Sequence, residues 1–119
     1  MAGEIVHFEV PAADVDRAVA FWNGLFGLEI GPSMSEEFEY RMFQAAPGQG
    51  GAIMASDKPG SGLVVYHATD NIEASIAKTR ELGGTAGDKQ PVPTHGWFAA
   101  CVDTEGNNFS LWQSDPNAA

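Results

Sequence analysis

A single cysteine, Cys101, occurs in 119 residues, so the chain can form neither an internal disulfide framework nor a thiolate metal cluster. Cations are scarce as well. Six Lys and Arg oppose sixteen Asp and Glu, for a formal net charge of −10. Nucleic acid and anionic membranes are bound by clustered cations that displace counterions, so neither is an expected partner. No apolar run approaches the roughly 20 residues of a membrane-crossing helix. Met1 to Glu4 lacks the basic stretch that opens a secretory signal, and a cytoplasmic protein is expected. No G-x-S-x-G, P-loop or dinucleotide fingerprint is present. Gly48-Gln49-Gly50-Gly51 is a turn too short to cradle phosphate.

What is present suffices for one compact domain. A chain of this length buries roughly 65% of its unfolded surface, enough for a core without disulfides. Glu4 to Val10 reads EIVHFEV, a period of two in which Val6, Phe8 and Val10 form the apolar face and His7 and Glu9 the other. Pro11 ends that strand. Asp14 can cap a helix over 14–26, on which Val15, Ala18, Val19, Trp22, Leu25 and Phe26 recur at helical spacing, and Gly27 can close it. Val6, Phe8, Val10, Val19, Trp22 and Phe26 are therefore expected to be mostly buried. Short strands are predicted at Leu28–Ile30, Phe38–Phe43 and Gly51–Ala55, with a turn in AAPGQG.

Ser56 to Gly62 reads as a linker, and the pattern then restarts. Leu63–Ala68 is a strand, and Asp70–Leu82 is a helix stopped by Gly83-Gly84. Thr85–Thr94 is irregular. Trp97–Val102 and Asn108–Trp112 are strands joined by a DTEGN turn. Shifted by 56 positions, Asp14 falls on Asp70, Ala18 on Ala74, Phe26 on Leu82 and Gly27 on Gly83. The order of strand, capped helix, Gly and further strands thus occurs twice, in module one (about 1–56) and module two (about 63–115).

The segments VHFEVPAADVDRAVAFWNGLFGLEIG, VVYHATDNIEASIAKTRELGG and CVDTEGNNFSLWQ resemble the first half, the start of the second half and the closing hairpin of the vicinal oxygen chelate superfamily. That superfamily holds glyoxalases, ring-cleaving dioxygenases and bleomycin-resistance proteins. The resemblance implies an α+β fold of two βαβββ modules, with curved mixed sheets around a cleft and the helices outside. It also implies a homodimer. In the enzymes a divalent metal sits in the cleft on His, Glu or Gln at four equivalent positions, binding vicinal oxygens and stabilising an enolate or activating dioxygen.

Here those four positions fall on His7, Met54, Val64 and Ser110. Only the imidazole is a good donor, whereas a tight divalent site takes three or four protein ligands. The expected cofactor set is therefore empty, although a rearranged site using His7, Glu9 and a residue elsewhere stays open. Glu9 shares a strand face with His7, Tyr66 with Val64, and Trp112 with Ser110. The ligand-binding candidates are His7, Glu9, Met54, Val64, Tyr66, Ser110 and Trp112. His7, Glu9 and Tyr66 are the candidates for acid–base catalysis.

His95, after a Pro-rich loop, reads equally as a gate residue and as a solvated one. Trp97 reads as wall or core, Trp22 and Cys101 as core, and His67 as a packing residue facing away from Tyr66. The leading expectation is metal-free binding of a small organic molecule, with the acidic balance favouring a cation. The alternatives are a lyase, isomerase or dioxygenase-like enzyme with an altered metal site or metal-free acid–base chemistry, and a purely structural role.

Overall fold

Period-two and helical stretches fold into ten elements in a computed structural model that describes residues 3–60 and 62–119. They are β1 (Ile5–Ala12), α1 (Val15–Phe26), β2 (Tyr40–Ala46), β3 (Gln49–Ala55), β4 (Val64–Ala68), α2 (Ile72–Glu81), β5 (Thr85–Ala86), β6 (Gln90–Val92), β7 (Gly96–Val102) and β8 (Asn108–Ser114). The class is α+β, as read from the sequence. The chain divides into two compact units, one of residues 6–64 and one of residues 3–5 with 65–119.

In the first unit β3 lies between β2, which runs antiparallel to it, and β1, which runs parallel. Pro47-Gly48 makes the β2–β3 turn, where Gly48 takes φ 76°, a conformation open to glycine at little cost. Helix α1 begins where the Asp14 carboxylate accepts a hydrogen bond from the Arg17 N–H at 3.0 Å, and it ends at Gly27 with φ 65°. Alternation along the strands then sorts side chains by face. Phe8, Val10, Ala12, Phe43 and Ile53 join Val15, Ala18, Val19 and Trp22 in one cluster. His7, Glu9, Ala52, Met54, Tyr40 and Met42 belong to the other face by register.

Two sequence expectations need correcting here. Leu28–Ile30 is not a strand, because Glu29 takes φ 56°, a left-handed conformation that no strand tolerates. Asn23 Oδ1 accepts the Glu29 N–H at 3.0 Å and holds that kink. Phe26, expected in the core, is 61% exposed. Val10 is buried and Val6, Phe8, Val19 and Trp22 are partly buried, so the burial expectation fails at Phe26 alone.

In the second unit the strand order is β4-β8-β7-β5, with β6 also paired to β7. β4 and β8 are parallel and the other pairs antiparallel. Ile72 and Ile76 of α2 pack on Ala99, Cys101 and Leu111. Asn71, not Asp70, caps α2, its side chain accepting the Ala74 N–H at 3.1 Å. The cap-to-cap offset is therefore 57, under which His7 falls on Val64. Thr85–Thr94, read as irregular, supplies the two short strands β5 and β6, and Pro91 is accommodated in β6 at the sheet's edge.

Candidate functional site

On the face of the first unit's strands opposite α1, β3 carries Gly50, Ala52 and Met54. The small Gly50 and Ala52 leave space for side chains of the flanking strands to meet over β3. Tyr40 of β2 reaches across, and its hydroxyl donates to Glu9 Oε2 at 2.6 Å. The same oxygen lies 2.8 Å from His7 Nε2. One O–H donates once, so the hydroxyl accepts from Nε2–H, and a neutral His7 keeps its lone pair on Nδ1. A Cβ added at Gly50 would lie 3.4 Å from that Nδ1.

Burial lowers the His7 pKa from its ordinary value of 6.5, and the Glu9 charge opposes the shift only partly. The ring is therefore neutral at pH 7. Phe38 stacks on Tyr40 with ring centroids 6.0 Å apart and planes 22° apart, which extends the cluster with an aromatic surface that is 46% exposed. The Ser33 hydroxyl holds the approach to β2, accepting from the Tyr40 N–H at 3.0 Å and donating to the Ser35 carbonyl at 3.0 Å.

Tyr40 was not among the sequence candidates. The alternation in FEYRMF put it on one face with Met42, but its meeting with Glu9 and His7 depends on the parallel β1–β3 register, which no local pattern encodes. His7 and Glu9 do come together as expected. Met54 is on their face, paired in register with both Tyr40 and Pro11, and half-buried.

In the second unit Tyr66 pairs with Ser110, and Ala68 with Trp112. By alternation Tyr66, Ser110 and Trp112 face away from the α2 core, with Val64 two residues before Tyr66. Ser110 is only 3% exposed, the least accessible of the ligand candidates. The Trp112 indole lies over Gly96 and donates from Nε1 to the Ser114 hydroxyl at 3.0 Å.

The remaining candidates take quiet positions. His67 meets Phe109 edge-on and bonds through Nδ1 to the Gly3 carbonyl at 2.9 Å. Trp97 packs on the α2 core, donates to Asp115 at 2.9 Å and carries Lys89 over its ring at 4.3 Å. That hydrogen bond, with the Asn117 N–H, holds the Asp115 carboxyl below the usual range. His95 is exposed, with Nδ1 2.9 Å from the Pro93 carbonyl. Cys101 is buried and its thiol pKa is raised by that burial, as fits an inert core residue.

The residues present do not fit a divalent metal. Among the described residues no three His, Cys, Asp or Glu side chains are grouped to hold one. The one good donor at the four positions, His7, has Nε2 bonded to Tyr40, and Met54, Val64 and Ser110 offer a soft thioether, no donor and a neutral hydroxyl.

Each unit pairs its first and last strands in parallel and packs one helix on one face of its strands, which defines a class of paired-unit α+β proteins built on a mixed sheet. The glyoxalase-like domain family model matches residues 6–112, and the chain belongs to that family. A glyoxylase-like domain-containing protein of Didymella fabae is 30% identical over 118 residues, covering 92% of each chain. The fold is shared with methylmalonyl-CoA epimerase from Mycobacterium tuberculosis, with a TM-score of 0.75 at 15% identity over 96% of this chain and 89% of that one. It is shared equally with a glyoxalase/bleomycin resistance protein/dioxygenase superfamily member from Vibrio splendidus, with a TM-score of 0.72 at 15% identity over 94% and 99%. Family and fold thus place the chain in the vicinal oxygen chelate superfamily. No helix among the described residues is long and apolar enough to cross a membrane.

Proposed function

We propose that this chain binds a small organic molecule on the His7–Glu9–Tyr40 face of its first module, without the divalent metal used by enzymes of the superfamily. The observation that supports this reading is the Tyr40 hydroxyl bonded at once to Glu9 and His7. A carboxylate, a hydroxyl and a neutral imidazole, half-buried beside the Phe38 ring, can satisfy a polar ligand while the aromatic surface covers its apolar part. Glu9 and the net charge of −10 favour a cation. Glu9→Gln removes that charge, and Tyr40→Phe removes the bridging hydroxyl. Each is expected to weaken binding of an organic cation at least tenfold in isothermal titration of a cation panel, the loss of about 1.5–3 kcal/mol typical of a hydrogen bond to a charged group. Affinities indifferent to both substitutions would place the ligand elsewhere.

The short Tyr40–Glu9 hydrogen bond also favours a second reading, metal-free acid–base catalysis, with Glu9 as base, Tyr40 as acid and Tyr66 as a further candidate. Solved proteins of this fold include named epimerases. Consumption of a bound compound, lost in both variants, separates the enzyme from the binder.

A homodimer is part of the same proposal. Light scattering at ~100 μM, far above the micromolar constants of modest interfaces, is expected to read twice the 12.6 kDa chain mass. A monomer mass would count against it.

A further inference from the structure

The α1 side of the first unit's strands carries a concavity of about 340 Å³, lined by Phe8, Trp22, Phe26, Leu28, Phe43 and Ala45. Its floor exists because position 51 is glycine. A Cβ there would lie 2.7 Å from the Phe43 ring and 3.0 Å from the Phe8 ring, and the two rings meet edge-on at 5.6 Å over the bare backbone. Its wall is Trp22 with Phe26, whose centroids are 6.0 Å apart. The helical stripe directs Phe26 to the core, yet 61% of it is exposed, so the last turn of α1 leaves the space a packed side chain would fill.

We propose that this concavity is a second ligand site, separate from the His7–Glu9–Tyr40 face, and that it takes an uncharged aromatic molecule of one or two fused rings. The lining chemistry selects that class. None of the six lining side chains bears a charge, and only the Trp22 indole bears an N–H, so a charged or strongly polar group would be desolvated there without compensation. Four of the six are aromatic and offer edge and face contacts to a flat ring. Size agrees, since a dry apolar cavity of roughly 150 Å³ accommodates benzene and this one is about twice that.

Area argues against a protein occupant. Phe21, Leu25 and Phe26, at 61, 58 and 61% exposed, offer roughly 350 Å² of apolar surface, against roughly 800 Å² per partner in a stable interface.

Naphthalene is the probe. With methyl-labelled protein, titration is expected to be saturable and to shift the Leu28 methyl resonances while leaving Met42 and Met54, on the opposite face, unmoved. Ala45→Phe adds a ring at an exposed rim position and is expected to weaken naphthalene at least tenfold without lowering the melting temperature. If that variant fails to fold, the wild-type methyl map still decides. Shifts at Met42 or Met54 alone, no saturable shift, or undiminished binding to folded Ala45→Phe would overturn the proposal. So would a dimer mass that Ala45→Phe converts to a monomer, because a second copy would then be the occupant.

Discussion

Ile53→Ala is expected to destabilise the protein by about 2–5 kcal/mol, against a total of about 5–15 kcal/mol for a domain of this kind. Ile53 is 0% exposed, pairs with Val10 on one side and Arg41 on the other, and packs in the cluster that joins β1, β2 and β3 to α1. Truncation removes three carbons from a site where neighbouring strands fix the backbone, so the cavity cannot collapse. The His7–Glu9–Tyr40 cluster lies on the reverse of the same three strands and loses its frame with them. Urea unfolding checks this as a lower midpoint at unchanged slope, with Leu25→Ala, at 58% exposed, as a control that moves by about 0.5 kcal/mol or less. A midpoint no lower than the control's would contradict the packing described.

Gly96→Ala is expected to cost at the upper end of the roughly 1–3 kcal/mol typical of overpacking. The added methyl would overlap the Gln113 carbonyl oxygen of the paired strand and sit 2.6 Å from the Trp112 indole. Movement of Trp112 relieves only the indole contact, and the carbonyl contact yields only if the β7–β8 pairing itself shifts. Near-UV circular dichroism should lose intensity along with the stability. An unchanged spectrum and midpoint would show that the indole does not lie over Gly96.

Strand β1 and helix α1 were legible because their signals are local. Asp14 and Gly27 bracket α1, and strict alternation in EIVHFEV assigned His7 and Glu9 to the face opposite Phe8 and Val10, where they are found. Boundaries failed where one torsion or one neighbour decides. Glu29 at φ 56° cancels a strand that Leu28 and Ile30 suggest, and Asn71 rather than Asp70 caps α2 because its side chain reaches the Ala74 N–H. β5 and β6 were missed because two and three residues are too few to show alternation, and pairing with β7 defines them.

The site was half legible. Strand parity put His7 and Glu9 on one face, and the family resemblance pointed to Met54. Tyr40 required knowing that β3 separates it from β1 and that Gly50 and Ala52 are small enough to be crossed, which is a fact of register between distant segments.

On the function proposed above, this member of the family works without a bound divalent metal. The resemblance puts Met54, Val64 and Ser110 at positions where the enzymes use donors, and the His7 Nε2 and Glu9 Oε2 atoms are bonded to Tyr40. Glu9 is the one carboxylate in the His7–Tyr40 cluster, and a single carboxylate offsets only half of a divalent charge. The most direct measurement is elemental analysis of dialysed protein, paired with isothermal titration of nickel, zinc, iron(II) and manganese into wild type and His7→Ala. Metal-free function predicts far less than one equivalent of any metal and no saturable heat in either protein. Near one equivalent, lost in His7→Ala, would contradict it.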